Sequence, residues 1–324
     1  MVKVSLLFIS VLTLFCYMIP GFILRKAKLI DGGFAKAFSV FTLYVAQVAM
    51  VIHGFLVGFD LSILKGICLV FLFSLLTHII FYVIAINLFK KAPERLRKVL
   101  RFGVTFSNAG YMGIPVISDV FGSEYVIYAT IYIIIFNVFA FSLGRMIYTG
   151  DKKYISVKTI VLNPVVIAIG IGLVIFLTGA GGWITEMLNS EGLVSEGVKL
   201  IYNILTVLKN MVAPASMLII GAKLAEIDFK GIFKDKYLYP FLALRLFILP
   251  AIIWVILRIC FAFGLIDATS MSIVLILCST PAAAMTTMFA ELYECDAVYS
   301  GKLVAISTVL SVISMPTVAL LLQI

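Results

Sequence analysis

Residues 106–115 read FSNAGYMGIP, and residues 278–287 read CSTPAAAMTT. Both stretches lie inside long apolar runs, and their prolines, Pro115 and Pro281, stand about half a chain length apart. Proline removes a backbone hydrogen-bond donor and clashes with the preceding helical turn. Irregular backbone at membrane depth is tolerated only where protein or a water-filled cavity surrounds it. We therefore predict two membrane helices that are broken near their middle.

The composition is that of an integral membrane protein. Of 324 residues, 63% are hydrophobic and 13% are charged, and the mean hydropathy is +1.18. Soluble domains have about 45–50% apolar and about 25% charged residues, so soluble enzymes and disordered chains are excluded. A helical span needs about 20 apolar residues. Ten runs of about this length predict an all-α membrane protein with ten transmembrane helices, called spans 1 to 10: 4–24, 38–58, 66–89, 102–121, 124–146, 159–179, 197–222, 238–261, 269–290 and 298–322.

The net charge of +9 comes from basic residues concentrated in alternate loops. If the N-terminus lies outside, the inward loops hold 19 of the 25 Lys and Arg residues and the outward segments hold four. The positive-inside rule then predicts a multi-pass protein of the cell membrane with both termini outside. The first run lacks a signal-peptide cleavage site and is interpreted as a retained span. Membrane lipid is an expected partner, and nucleic acid is not.

The ten spans divide into two sets of five. An odd number of spans makes the second set enter the membrane in the opposite orientation, an arrangement common in secondary transporters. Residues 1–150 are predicted to form the first repeat and 151–324 the inverted second repeat, with the longest loops at 180–196 and 223–237. The broken spans 4 and 9 then take matching places and cross. The N-terminus of a half-helix at each break favours an anion, while exposed carbonyls at the other end favour a cation.

The two broken spans supply most of the candidate binding residues. The Asn108 amide can bind a carboxylate or hold the crossing together. Arg245, inside span 8, can attract a carboxylate, pair with helix carbonyls or extend to the cytoplasmic face. The residues predicted to bind the substrate are Asn108, Gly110, Gly113, Pro115, Ser279, Thr280, Pro281 and Arg245. The residues predicted to bind a coupled ion are Asn108, Ser279, Thr280 and Thr286.

Other ionisable residues lie in or near the spans. Lys209 of span 7 is similar to Arg245, but its long stem can reach water. His53 and His78 are interpreted as hydrogen-bonded structural residues, with a proton relay as the alternative. None of the sixteen acidic residues lies at the centre of a span, and Asp119, near the outer end of span 4, comes closest. A proton antiporter built on a midplane carboxylate is therefore not expected.

Sequence motifs of enzymes are absent. The chain has no HExxH, no GxSxG and no phosphate-loop lysine motif. Its two histidines are isolated in the sequence. We expect no enzyme activity, no catalytic residues, no metal and no cofactor.

Several short motifs occur in a family-like order along nearly the whole chain. They are 108–115 followed by Phe121-Gly122, Asn163-Pro164 at the start of span 6, Pro214 with 221–224 in span 7, Arg245 with Pro250 in span 8, Pro281 in span 9, and Ser307-Thr308 through Pro316 in span 10. In these motifs the sequence resembles the auxin efflux carrier family, the microbial relatives of the PIN-type auxin transporters. It departs from the family pattern at Gln47, where span 2 often has proline, and at Met285, where span 9 commonly has asparagine.

This resemblance implies two inverted five-helix repeats. It implies a scaffold of spans 1, 2, 6 and 7, which often forms a homodimer, and a transport domain of spans 3–5 and 8–10. The crossing of spans 4 and 9 would hold the substrate.

For function, the resemblance and the broken spans predict a secondary transporter of an organic anion. The anion would be a carboxylate, either auxin-like or a dicarboxylate, moved by alternating access. One alternative is a sodium-coupled symporter of the bile-acid type, and another is a membrane receptor or sensor without transport. The expected partners are the small organic anion and, if transport is coupled, a sodium ion or a proton.

Overall fold

The computed structural model describes residues 3–150, 161–227 and 234–323, and helices account for all regular elements of these residues apart from one isolated antiparallel bridge. Seven helical segments are long and apolar enough to cross a membrane. An eighth crossing results if Pro164–Leu177 and Ala180–Leu188, which are bent by 81° at their junction, count as one span. Spans 4 and 9 fall outside this number because each is divided into shorter helices. The chain is thus an all-helical, multi-pass membrane protein.

The first part of the chain contains eight α-helices, several of them joined by single π-helical turns. They are α1 (Val4–Lys26), α2 (Gly32–Phe41), α3 (Gln47–Gly54), α4 (Leu61–Asn87), α5 (Glu94–Thr105), α6 (Ile114–Phe121), α7 (Val126–Phe139) and α8 (Arg145–Thr149). The π-helical turns are Thr42–Ala46, Ala109–Gly113 and Ala140–Gly144.

The second part continues in the same way. Its helices are α9 (Pro164–Leu177), α10 (Ala180–Leu188), α11 (Leu193–Asn210), α12 (Val212–Ala225), α13 (Leu238–Ala243), α14 (Leu249–Ala262), α15 (Ala268–Ser279), α16 (Met285–Leu292) and α17 (Ala297–Leu320). The π-helical turn Leu244–Ile248 joins α13 to α14. The expected repeat boundary at 150/151 adjoins residues 151–160, which lie outside the described residues.

Polar caps fix where several helices begin. The Asp60 carboxylate accepts a hydrogen bond from Ser62 N before α4, and Asp267 does the same from Ser270 N before α15. Asn163 caps α9, whose first residue is Pro164. A side-chain acceptor satisfies an amide that has no partner within the helix, and a carboxylate also favours the positive end of the helix dipole.

The segment 180–196, expected as a loop, is largely helical. It contains α10, and α11 already begins at Leu193. Gly179 has a φ of +73° and turns the chain between α9 and α10. The turn residues of this segment lie at 189–192, where the helix does break. The prediction of a loop was wrong because the segment packs as a helix, in which Gly181 lets α10 approach the Val57 backbone.

Helices α1 and α12 pack with their backbones in contact. A Cβ atom on Gly21 would lie 2.1 Å from the carbonyl oxygen of Leu218, and one on Gly221 would lie 2.0 Å from that of Met18. Small residues permit such close approach between membrane helices. The two glycines therefore set the distance between these helices.

Gly221→Ala is expected to destabilise the protein by about 1–3 kcal/mol, because the added methyl group must push two backbones apart. Gly170→Ala is the matched control, since a Cβ at this helical glycine meets nothing within 4 Å. The control should be neutral or stabilising by about 0.5–1 kcal/mol. Thermal unfolding of both purified variants in detergent measures the difference. Equal melting temperatures for the two would contradict the packing described here.

Loops that were predicted to face inward meet at one end of the molecule. Arg25 Nη2 lies 3.0 Å from Glu226 Oε1, joining the end of α1 to the end of α12. Lys302 Nζ of α17 lies 2.6 Å from Asp235 Oδ2, just before α13. Asp235 also accepts hydrogen bonds from the Tyr299 hydroxyl and the Tyr237 amide. Burial disfavours the Asp235 carboxylate, but these hydrogen bonds outweigh that effect and lower its pKa.

Asp235→Asn is expected to destabilise the protein by about 1–3 kcal/mol at neutral pH, because it weakens the charge-assisted bonds that join this loop to α17. Since the folded pKa is lowered, the stabilisation is present above the ordinary carboxyl pKa and is lost as the pH falls through the lowered value. The difference in melting temperature between wild type and variant should therefore disappear at low pH. Asp31→Asn, at an exposed cap, is the control. A gap that stays constant into acid would refute the ionic role of Asp235.

Candidate functional site

Spans 4 and 9 are interrupted and pair with each other at their interruptions. α5 ends at Thr105, α15 ends at Ser279, and regular helix resumes only at Ala109 and Met285. The amide of Asn108 donates to the Pro281 carbonyl at 2.8 Å, and the amide of Ala283 donates to the Phe106 carbonyl at 3.0 Å. We call these paired segments, residues 106–108 and 280–284, the crossing.

Proline explains the local geometry of both broken helices. Pro281 cannot donate to Leu277 O, which instead accepts from the Thr280 hydroxyl at 2.9 Å. Pro115 likewise leaves Tyr111 O without its usual helical donor. The Ser216 hydroxyl of α12 lies 3.4 Å from that oxygen but donates to Val212 O of its own helix at 2.7 Å. At Pro281, therefore, a side chain takes over a hydrogen bond that the proline removes.

Arg245 binds the carbonyl ends of both helices that stop at the crossing. Its side chain is 0% exposed. The guanidinium donates to Val104 O at 3.0 Å, to Cys278 O at 2.5 Å, and to Thr280 O at 2.9 and 3.2 Å. Its Cζ also lies 5.3 Å from the centre of the Phe81 ring. Of the three roles considered from the sequence, the geometry matches pairing with helix carbonyls.

The charge of Arg245 suits this position. A helix C-terminus carries a partial charge of about −0.5, and α5 and α15 both end here. One guanidinium therefore offsets the two partial charges in a buried setting. Among the described residues, no carboxylate lies within 4.0 Å of Arg245.

The amide ends of the resumed helices lie at the same place. The first amides of a helix have no partner within it, and here those of the Ala109–Gly113 turn follow the crossing directly. Asn108 is 3% exposed, and its Nδ2 has no hydrogen-bond partner among the described residues. Ala282 N donates to the Ser307 hydroxyl of α17 at 3.2 Å. The Asn108 side-chain amide is thus the buried donor of the crossing that is left for an anion, beside the start of the Ala109–Gly113 turn.

The two candidate glycines allow close packing on different sides. A Cβ on Gly113 would lie 2.6 Å from Leu277 Cδ2, so this glycine lets span 4 approach span 9. A Cβ on Gly110 would lie 2.7 Å from Gln47 Nε2, so this glycine faces α3.

The hydroxyl residues predicted to bind a coupled ion lie in two different helical segments. Ser279 and Thr280 lie at the end of α15 and donate to Ile276 O and Leu277 O, both at 2.9 Å. Thr286 lies in the first turn of α16 and packs against Gly103 of α5. Its hydroxyl is buried without a hydrogen-bond partner among the described residues.

A cavity of about 280 Å³ lies between α6 and the helices α1, α3, α11 and α12. Of the residues predicted to bind substrate, only Pro115 lines it. Its polar lining includes Asp119, Lys209 and His53. The side chains of Lys209 and His53 are hydrogen-bonded to each other at 3.2–3.3 Å.

Sequence reasoning underrated three residues that contact the crossing region. Gln47, Ser216 and Ser307 approach it from α3, α12 and α17. From the sequence, Gln47 and Ser216 were interpreted as polar residues of scaffold spans that bind either neighbouring helices or substrate, and Gln47 also departs from the family pattern. A polar residue inside an apolar run was the available signal, but it does not tell which neighbour the side chain meets.

Residues 6–319 match the model of the membrane transport protein family, the auxin efflux carrier family. The chain belongs to this family. Its members are transporters and not enzymes, so this protein is a membrane transporter. No curated protein matches the chain at significant similarity.

Proposed function

We propose that this family member is a secondary transporter that moves an organic anion across the cell membrane by alternating access. The observation that carries the proposal is the crossing, where two broken helices meet, the N-terminus of the Ala109–Gly113 turn follows directly, and the buried Asn108 Nδ2 has no hydrogen-bond partner among the described residues. Such donors favour a negatively charged group in a site without bulk water.

The proposed architecture is ten spans in two inverted repeats, 1–150 and 151–324. Seven long helices, the bent pair α9 and α10, and the divided spans 4 and 9 would together give ten membrane passages. The contacts of Arg25 with Glu226 and of Asp235 with Lys302 support it, because they join loops that this topology puts on the inner side. Both termini would then lie outside.

Movement would occur between two groups of helices. Spans 1, 2, 6 and 7 would form the scaffold, through which a homodimer would assemble. Spans 3–5 and 8–10 would form the transport domain that carries the crossing. The cavity between α6 and the scaffold helices α1, α3, α11 and α12 lies along this proposed boundary.

Within the site, Asn108 would contact the anion directly. The backbone around Gly110, Gly113, Pro115, Ser279, Thr280 and Pro281 would shape the surrounding site. Arg245 would act as a positioning residue that holds the two carbonyl ends, because four of its hydrogen bonds already go to backbone oxygens.

We further propose that transport does not need sodium. A sodium ion at this place would require oxygen ligands, but Arg245 already binds the carbonyls of Val104, Cys278 and Thr280 with a fixed positive charge. These contacts weaken the case for a bile-acid-type symporter.

The test is uptake of labelled mono- and dicarboxylates into proteoliposomes, with and without sodium and pH gradients. We expect saturable carboxylate uptake that is unchanged when choline replaces sodium. Uptake that vanishes without sodium would favour the symporter instead. Ligand binding without any flux would favour a receptor.

A further inference from the structure

Lys209 is a cation in the middle of a long apolar helical segment. It is the seventeenth of the 33 residues of Leu193–Ala225 and lies at the end of α11, just before the junction with α12. Ionisable side chains at this depth are costly, and those that occur usually face a partner or a water-filled cavity. Nothing proposed above for the crossing uses this residue.

The neighbours of Lys209 do not neutralise it. Its Nζ lies 3.2 and 3.3 Å from the two ring nitrogens of His53, which is 8% exposed and packs on the Tyr202 ring at 4.9 Å. A neutral imidazole accepts one hydrogen bond, whereas an ammonium has three N–H groups. Among the described residues, no carboxylate oxygen lies within 4.0 Å of this ammonium. The His53 contact therefore orients the ammonium and leaves donors for a further acceptor.

Lys209 and His53 both line the cavity of about 280 Å³. This volume is close to the lower limit of small-molecule pockets, about 300 Å³. Hydrogen-bonding groups come from Ser10, Ser118 and Asn210, while other parts of the wall are apolar: Leu14, Met50, Ile114 and Val126. The cavity thus offers one cation and an apolar wall for the body of a ligand.

We propose that Lys209, held by His53, binds the carboxylate of a small organic acid in this cavity. The site is separate from the crossing, since the residues that line the cavity include none of 106–108 or 280–284. The inference rests on the proposed function, because an anion transporter needs a place where its substrate enters. On the proposed topology the cavity lies on the outer side of the crossing.

The same lining selects against a second carboxylate. Asp119 also lines the cavity, and it is the acidic residue of the lining. A dicarboxylate would bring its second negative charge towards Asp119, and like charges in a partly buried site repel each other. Monocarboxylates with an apolar body should therefore bind more tightly than dicarboxylates of similar size.

The test measures equilibrium binding to the purified full-length protein by calorimetry. The probes are phenylacetate, hexanoate and succinate, with phenylacetamide and hexanamide as uncharged analogues. Lys209→Gln removes the charge, and Lys209→Arg keeps it. The matched control is Lys199→Gln on the same helix, because Lys199 is paired with Glu196 at 3.0 Å.

We expect Lys209→Gln to weaken binding of the two monocarboxylates by about tenfold to hundredfold, the range of a lost hydrogen bond to a charged group. Amide binding should be unchanged, Lys209→Arg should retain the preference for acid over amide, and Lys199→Gln should behave as wild type. If the role of Lys209 were purely structural, Lys209→Gln would weaken the binding of acids and amides equally. That result, an unaltered affinity in Lys209→Gln, or no binding of any acid to the wild type would overturn the proposal.

Flux measurements on the same variants separate this inference from the proposed function. If wild-type protein binds monocarboxylates through Lys209 but carries none into proteoliposomes, the transport proposal fails and the site stands. If wild type carries them and Lys209→Gln matches it in both flux and affinity, the site fails and transport stands.

Discussion

Arg245→Ala is expected to abolish transport, with a loss of at least about 100-fold in initial flux. The substitution leaves the buried carbonyls of Val104, Cys278 and Thr280 without their donor and removes the charge that offsets two helix ends. Each buried acceptor left unpaired costs about 1–3 kcal/mol. The crossing should therefore lose its geometry. Flux in proteoliposomes and thermal unfolding in detergent measure the two effects.

Two further experiments keep this prediction testable if Arg245→Ala folds poorly. Arg245→Lys retains the charge but cannot reproduce the planar set of donors, so it should fold and transport at an intermediate rate. Added guanidinium ion should partly restore flux to Arg245→Ala by entering the space left by the side chain. Arg258→Ala, in the same span, is the control. Wild-type flux in Arg245→Ala would refute the role given to this residue.

Asn108→Ala is expected to lower flux by about tenfold to hundredfold with little change in stability. The Nδ2 atom is buried and has no hydrogen-bond partner among the described residues. Removing it therefore costs the folded protein no hydrogen bond that Nδ2 makes to those residues. In the complex it would donate to the anion, and losing a hydrogen bond to a charged group costs about 1.5–3 kcal/mol. The change should therefore appear in the flux and not in the melting temperature.

The control for Asn108 is Asn87→Ala. Asn87 lies at the exposed end of α4, and its amide donates to Val83 O at 2.9 Å. This variant should transport like wild type. If Asn108→Ala lost stability while its flux per folded molecule stayed normal, Asn108 would have the structural role that the sequence left open.

The broken helices could be predicted because their cause is local. Pro115 and Pro281, with glycine and small polar neighbours, specify an interruption from the chain itself. Unbroken helices such as α4 and α17 follow from the lengths of apolar runs, but α4 begins at Leu61, after the Asp60 cap, five residues before the predicted start. Local sequence also indicated the family.

The contacts of the polar residues could not be predicted, because they depend on tertiary packing. Arg245 binds Val104 O, 141 positions earlier, and Lys209 meets His53, 156 positions earlier. Periodicity places each cation in a span but does not show which helix it faces. Thr286 illustrates the same limit: the sequence offers it as an ion-binding residue with Asn108, but the contact of its side chain with Gly103 of α5 is visible only in the structure.

Counterflow of a labelled carboxylate in proteoliposomes tests the central claim most directly. Vesicles loaded with unlabelled phenylacetate and placed in a trace of the labelled acid should accumulate label in the absence of any ion gradient. Wild-type protein should do so, Asn108→Ala should not, and phenylacetamide should not compete. Absence of exchange by the wild type across mono- and dicarboxylates, or equal competition by the uncharged amide, would contradict the account of an anion carried at the crossing.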